Sequence, residues 1–228
     1  MRALERLPPR LRAAAPLAPA LLLLALGLWG FGILSEDVVT GDPIVRVDAQ
    51  LANWLHARQT AVLTEVLTFV TRLGSAWVLA PLAIGLVAIA LWRRRLADAG
   101  FIALAIAGAQ LLTTGLKLGF ERQRPFFADP LAVESSFSFP SGHATVSLAF
   151  YGALAVVLAR AYPAQRAIVY AGAGALIVLI GFSRLYLGVH YLSDVLAGFS
   201  AGMAWLVLCV LAVYGRGLLR ARRDASAT

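Results

Sequence analysis

The sequence predicts an all-α polytopic membrane protein, a six-transmembrane-helix bundle forming a single membrane domain over residues 1–228, with both termini cytoplasmic. Three observations carry that prediction. Hydrophobic residues make up 60% of the chain and charged ones only 14%, at a mean hydropathy of +0.79. Apolar stretches near or within the roughly 17–25 residues needed to cross a ~30 Å hydrocarbon core recur six times. The cations, finally, are distributed unevenly among the segments between those stretches.

The spans fall at about 17–34, 75–92, 98–119, 141–161, 166–182 and 189–214. The first follows Arg2, Arg6, Arg10 and Arg12, an arrangement that also suits a signal peptide. Its apolar stretch is long, however, and no small-residue cleavage site precedes Ser35-Glu36-Asp37, so an uncleaved anchor is expected. Segment 35–74 reads as an extracytoplasmic connector without a full span. Within it, the mixed apolar spacing of 44–57 fits a short interfacial helix with Trp54 at headgroup level, or an ordinary packed connector. Pro81 is expected to kink the second span, and Tyr162-Pro163 to mark the turn between the fourth and fifth.

If the N-terminus is cytoplasmic and the six helices alternate, thirteen cations lie on the cytoplasmic side against three acids. Seven cations and nine acids lie on the other. The positive-inside rule weighs the cations, and thirteen against seven sets the orientation. A sequence pI near 10.5 would make nucleic acid a candidate partner for a soluble protein. Here the charge sits in short runs between apolar stretches, so no nucleic-acid partner is expected. Cys209, the single cysteine, excludes an internal disulfide and reads as a small buried hydrophobe. Oligomeric state leaves no mark in the sequence.

Three polar islands interrupt the apolar chain: Lys117 to Arg124-Pro125, then Pro140-Ser141-Gly142-His143, then Ser183-Arg184 to His190 and Asp194. Alternation of the spans puts all three on the outer side. Ionisable groups in such a chain are costly unless they line a wet site or pair with one another. Lys117 is the only lysine among 20 basic residues. With Arg124 and Arg184 it forms a positive cluster without a matching cluster of acids in the islands. Arginine forks and a lysine point charge suit phosphate oxygens. Arg122, by contrast, is accounted for by snorkelling to the headgroups.

Phe139, preceding Pro140, is pushed to an extended conformation, so the fourth span starts after it. Ser141 can cap that helix, and Gly142 lets backbone N–H groups approach an anion closely. His190 and Asp194, spaced i, i+4, share one face of the sixth span. A carboxylate one turn away can accept Nδ1–H and leave Nε2 as an unprotonated nucleophile or base. Two histidines beside three cations divide into one that attacks phosphorus and one that protonates the leaving oxygen. The cations can neutralise the phosphoryl oxygens, so no metal and no cofactor is expected. Three histidines without an acid cluster at ligand spacing point the same way.

These residues resemble the three signature motifs of the type-2 phosphatidic acid phosphatase superfamily: K-x6-R-P, P-S-G-H and S-R-x5-H-x3-D. All three are complete and in order, and the resemblance covers roughly 98–214, the motif core. It implies a six-helix membrane bundle in which His190 is the nucleophile, Asp194 orients it and His143 is the general acid. It also implies that Lys117, Arg124, Ser141, Gly142 and Arg184 hold the phosphate. Tyr186-Leu187-Gly188-Val189-His190-Tyr191 is similar to bacterial members that act on lipid phosphates. The soluble haloperoxidase branch of the family is disfavoured by the hydrophobic spans.

The expected function is therefore metal-independent dephosphorylation of a lipid phosphate or diphosphate at the extracytoplasmic face of a bacterial inner membrane. Undecaprenyl diphosphate, phosphatidylglycerophosphate and phosphatidic acid are the candidate substrates. One alternative is a phosphotransferase, in which a hydroxyl replaces water as acceptor. Another is a lipid-carrier transporter, which would need polar residues continuing across the bilayer. The spans carry nearly all of theirs at one end.

Overall fold

The computed structural model describes residues 17–41, 43–132 and 134–225, with side chains described as far as Gly215. The arginines at positions 2, 6, 10 and 12, on which the N-terminal orientation leans, lie outside these residues. The described chain is all-helical, with α1 at Ala18–Thr40, α2 at Pro43–His56, α3 at Ala61–Arg72 and α4 at Ala76–Trp92. After these come α5 at Leu96–Phe120, α6 at Gly142–Ala161, α7 at Arg166–Tyr186 and α8 at Leu192–Ala225. A short 3-10 helix, Pro163–Gln165, makes the turn before α7, where Tyr162-Pro163 predicted one.

Six helical stretches among the described residues are long and apolar enough to cross a membrane. The second runs Ala61–Trp92, so α3 and α4 form one apolar path broken only at 73–75. Outward-facing side chains of these helices are themselves apolar: Leu22, Leu28 and Trp29 on α1 are exposed. Lipid tails, not water, are the solvent that such a surface suits. Trp77 and Trp92 stand exposed at opposite ends of α4, about 22 Å apart at 1.5 Å per residue. Tryptophan at the two ends of a span suits the interface levels where this residue is enriched.

α8 is the organising element, packed against α1, α6 and α5. Small residues allow the closest approaches. A Cβ on Gly198 would lie 2.8 Å from the Ser141 carbonyl oxygen, and one on Gly202 would lie 2.9 Å from that of Thr145. This Gly-x-x-x-Gly stripe lets α6 and α8 meet backbone to backbone, the favoured contact where lipid removes the hydrophobic drive between helices. Phe101, Leu148, Ala153, Leu206 and Cys209 form the largest buried cluster nearby.

Several boundaries differ from the sequence reading. α1 continues past residue 34 to Thr40, ending where Gly41 takes a left-handed φ of 77° and returns its N–H to the Asp37 carbonyl. α7 continues past residue 182 to Tyr186, so Ser183 and Arg184 sit on the helix. α8 starts at Leu192, so His190 lies in the turn before it and not on the span. The shift at 189–191 has a local cause: Gly188 at φ 70° swings the chain round, and a Cβ there would meet Phe127 at 3.0 Å. The 35–74 segment is mostly helical and well anchored. Gln59 Nε2 donates to the Tyr186 carbonyl at 2.8 Å, and the Thr60 N–H donates to the Tyr186 hydroxyl at 2.8 Å.

Candidate functional site

The up-and-down helix order brings four helix termini to one end of the bundle. Lys117 sits in the last turn of α5, Gly142 and His143 open α6, Arg184 is in the last turn of α7, and Asp194 is in the first turn of α8. The 121–141 loop crosses above them and adds Arg124 and Glu134. Lys117, Arg124, Gly142, His143, Arg184 and His190 line one cavity of about 490 Å³. Island residues up to 73 positions apart in sequence, Lys117 and His190, thus line one pocket, as the alternation of spans predicted.

Arg124 is held by the loop it belongs to. Its Nε donates to the Ser136 carbonyl at 2.7 Å and one terminal nitrogen to the Val189 carbonyl at 2.6 Å. That same nitrogen lies 3.1 Å from His190 Nε2. Lys117 Nζ donates to Ser136 Oγ at 3.2 Å and to the Phe137 carbonyl. The 136–137 backbone is therefore a common cradle for both cations.

His190 is 2% exposed, and its Nδ1 lies 3.3 Å from Asp194 Oδ2 and 3.3 Å from Ser138 Oγ. A guanidinium can only donate, so the imidazole nitrogen facing Arg124 is the acceptor and Nδ1 carries the proton. The arrangement presents an Nε2 lone pair to the pocket. Burial pushes the His190 pKa down to about 4; Asp194 opposes the shift, and Arg124 and Arg184 add to it. The imidazole is neutral at physiological pH.

Ser141 does not cap α6. Its Oγ is buried without a hydrogen-bond partner, while its N–H donates to the Asp194 carbonyl at 2.9 Å. Arg184 Nε is likewise buried and unpartnered. Buried donors of this kind are costly unless something satisfies them, and a tetrahedral oxyanion has the acceptors to do so. At Gly142 a Cβ would stand 3.5 Å from Thr113 Cγ2 and 3.9 Å from Lys117 Cε. Those atoms belong to residues that line the same cavity.

The expectation for Arg122 needs correction, and the loop between the first two islands adds an acid: Glu134 pairs with Arg184 at the cavity wall. Burial alone would raise the Glu134 pKa, but Arg184 and then Arg124 outweigh it and hold the carboxyl below its usual range. Arg122 does not snorkel. It turns inward, donating to Asp194 Oδ1 at 2.6 Å, Ser193 Oγ at 2.7 Å and Asp48 Oδ2 at 2.8 Å.

Sequence reasoning therefore missed Arg122, Asp48, Ser138 and Glu134. Asp48 is a buried acid on a helix that could have been read as an interfacial connector, and only its burial distinguishes it. Ser138, two residues before Pro140, donates to Asp194 Oδ2 at 2.5 Å. Its place just before the second island was the one available signal.

The fold and the pocket define a class: a polytopic membrane protein whose bundle end holds two histidines, a buried carboxylate and three cations at a cavity of about 490 Å³. A family model for the PAP2 superfamily matches residues 98–218. The chain belongs to the PAP2 superfamily. It is 42% identical over 144 residues to phosphatidylglycerophosphatase B of Bacillus subtilis, across 62% of this chain and 70% of that protein. It is 38% identical over 119 residues to a lipid A 1-phosphatase of Rhizobium johnstonii, across 48% of this chain and 45% of that protein. Among solved structures it is similar to a transmembrane PAP2-type phosphatidylglycerolphosphate phosphatase from Bacillus subtilis. That likeness has a TM-score of 0.75 at 36% identity, over 82% of this chain and 93% of the other. Aquifex aeolicus LpxE aligns with a TM-score of 0.59 at 25% identity, over 72% and 94%.

Proposed function

We propose that the protein removes the terminal phosphate of a membrane lipid through a covalent phosphohistidine on His190, without a metal, at the extracytoplasmic face. As a PAP2 member it is a lipid phosphatase. The relatives' names favour phosphatidylglycerophosphate as first substrate, with phosphatidic acid and undecaprenyl diphosphate beside it. The observation that carries the mechanism is the unprotonated Nε2 of His190 facing a guanidinium at 3.1 Å in a pocket of further cations.

In the first step the Nε2 lone pair forms a P–N bond as the P–O bond to the lipid breaks. The electron pair leaves on the lipid oxygen, which takes a proton from His143. Lys117, Arg124 and Arg184 hold the phosphoryl oxygens, with Ser141 Oγ and the Gly142 end of α6 beside them, and spread their charge. Arg124, which faces Nε2 at 3.1 Å, transfers its donor to a phosphate oxygen when substrate binds. A substrate phosphate near its second pKa, about 6, brings either a proton or the negative charge that holds one on His143. In the second step water attacks phosphorus and gives a proton to His143, and the P–N bond returns its electrons to Nε2. Asp194 fixes the tautomer throughout.

The extracytoplasmic placement rests on the uneven distribution of cations. Detergent-purified protein should release phosphate from a panel of lipid mono- and diphosphates in EDTA, and vanadate should block it. Transfer to a hydroxyl acceptor in place of water would identify a phosphotransferase instead. Lipid transport without phosphate release would overturn the enzymatic reading.

A further inference from the structure

Asp194 Oδ2 is crowded, receiving Ser138 Oγ at 2.5 Å and the Tyr191 N–H at 2.8 Å, with His190 Nδ1 at 3.3 Å. Asp194 Oδ1 has one cationic partner, Arg122 at 2.6 Å. Arg122 in turn is braced by Asp48, and Asp48 also receives the Ser193 N–H at 2.9 Å and Ser193 Oγ at 2.5 Å. The side chains of Asp48 and Asp194 are fully buried and that of Arg122 is 12% exposed, with Tyr191 stacked on the guanidinium at 4.5 Å. The backbone contributes as well. Glu121, between α5 and Arg122, adopts φ 46°, a left-handed conformation that costs a non-glycine residue and here turns Arg122 back into the bundle.

Two carboxylates sharing one guanidinium at this depth form a linked unit: removing Arg122 leaves two buried carboxylates without their cation, and removing Asp48 frees one side of the guanidinium that faces Asp194. One member, Asp48, lies outside residues 98–218, the part matched by the family model. We propose that Asp48 and Arg122 are positioning residues for the His190–Asp194 pair, which makes α2 a working part of the catalytic centre. This rests on His190 being the nucleophile. Arg122 fixes the direction of the Asp194 carboxylate and offsets its charge, and Asp48 fixes Arg122. The charged and titratable groups around His190 are Arg124 and Glu134 of the loop, Lys117 of α5, His143 of α6, Arg184 of α7 and Asp194 of α8. Arg122 reaches the imidazole only through Asp194.

The experiment compares wild type with Asp48→Asn, Arg122→Gln, Arg122→Lys, the Asp48→Asn/Arg122→Gln double variant and His190→Ala. All are purified in detergent as full chains and assayed for phosphate release from phosphatidylglycerophosphate. Misplacing a reacting group by about 1 Å costs on the order of 100-fold. The expectation is a kcat loss of about 10-fold for Asp48→Asn and about 100-fold for Arg122→Gln, with KM within about 2-fold of wild type. The double variant should be no worse than Arg122→Gln alone, because the two act as one unit. Arg122→Lys should recover part of the loss. With Arg122 gone, the Asp194 charge acts undiluted on the imidazole, so the acid limb of kcat/KM should move up by about one pH unit in Arg122→Gln. A purely structural contact would lower the folded fraction without moving that limb. Wild-type kcat in Asp48→Asn and Arg122→Gln, or losses that multiply in the double variant, would overturn the proposal. Both results leave the phosphatase reading intact so long as His190→Ala is inactive. An active His190→Ala would overturn that reading and the positioning proposal with it.

Discussion

Arg124 and His190 meet at 3.1 Å, and only the imidazole can be the acceptor in that contact. The consequence is a nucleophile that is buried, unprotonated at Nε2 and already faces a cation. An arriving phosphate replaces one hydrogen-bond acceptor of Arg124 with another and brings phosphorus to Nε2.

Acidification tests the state of that nitrogen. Because the folded pKa of His190 is depressed to about 4, the ring stays neutral as pH falls through 6.5, where an unperturbed histidine would take up a proton. The acid limb of kcat/KM, corrected for the substrate's own titration, should therefore appear only as pH approaches about 4. A limb near 6.5 would contradict the neutral, buried imidazole.

Ser138 donates to Asp194 Oδ2 at 2.5 Å and lies 3.3 Å from His190 Nδ1. Ser138→Ala removes one hydrogen bond to a charged acceptor, worth roughly 1.5–3 kcal/mol. It should lower kcat by about 10-fold or more, at similar KM, in steady-state phosphate release.

Glu134 occupies Arg184 in the pocket wall. An oxyanion competes with that carboxylate for the guanidinium, so neutralising it favours the oxyanion. Glu134→Gln should tighten vanadate inhibition several-fold, read as a lower inhibition constant. An unchanged or weaker constant would show that Glu134 does not compete for the phosphate site.

Gly198 has no room for a side chain, whereas Gly172 has no atom within 4 Å of a Cβ position. Gly198→Ala should cost about 1–3 kcal/mol, as overpacking does, and should lower the midpoint of thermal unfolding in detergent. Gly172→Ala should leave the midpoint close to wild type.

Much of this was legible in the chain because the bilayer is a severe solvent. Apolar length reveals the spans, and charge stands out against them. The convergence of Lys117, His143, Arg184 and Asp194 follows from alternation alone. Boundaries were harder: Gly188 shifts the start of α8 past His190, and no hydrophobic period records that turn. Arg122 and Asp48 were hidden for a different reason. A lone arginine near a span end reads as a headgroup contact, and a lone aspartate in an amphipathic segment reads as solvated. Their pairing across 74 positions is a tertiary fact. Ser141 shows the converse. It stands where a cap belongs, yet its hydroxyl is buried without capping the helix.

The central claim is that phosphorus becomes bonded to His190. It is tested by quenching purified protein within a single turnover of a lipid monophosphate labelled in its phosphate, with EDTA present, and sequencing the labelled peptide. The account predicts an acid-labile phosphoramidate on His190, absent in His190→Ala, which should also lose phosphate release. Label on another residue, or wild-type turnover in His190→Ala, would contradict it.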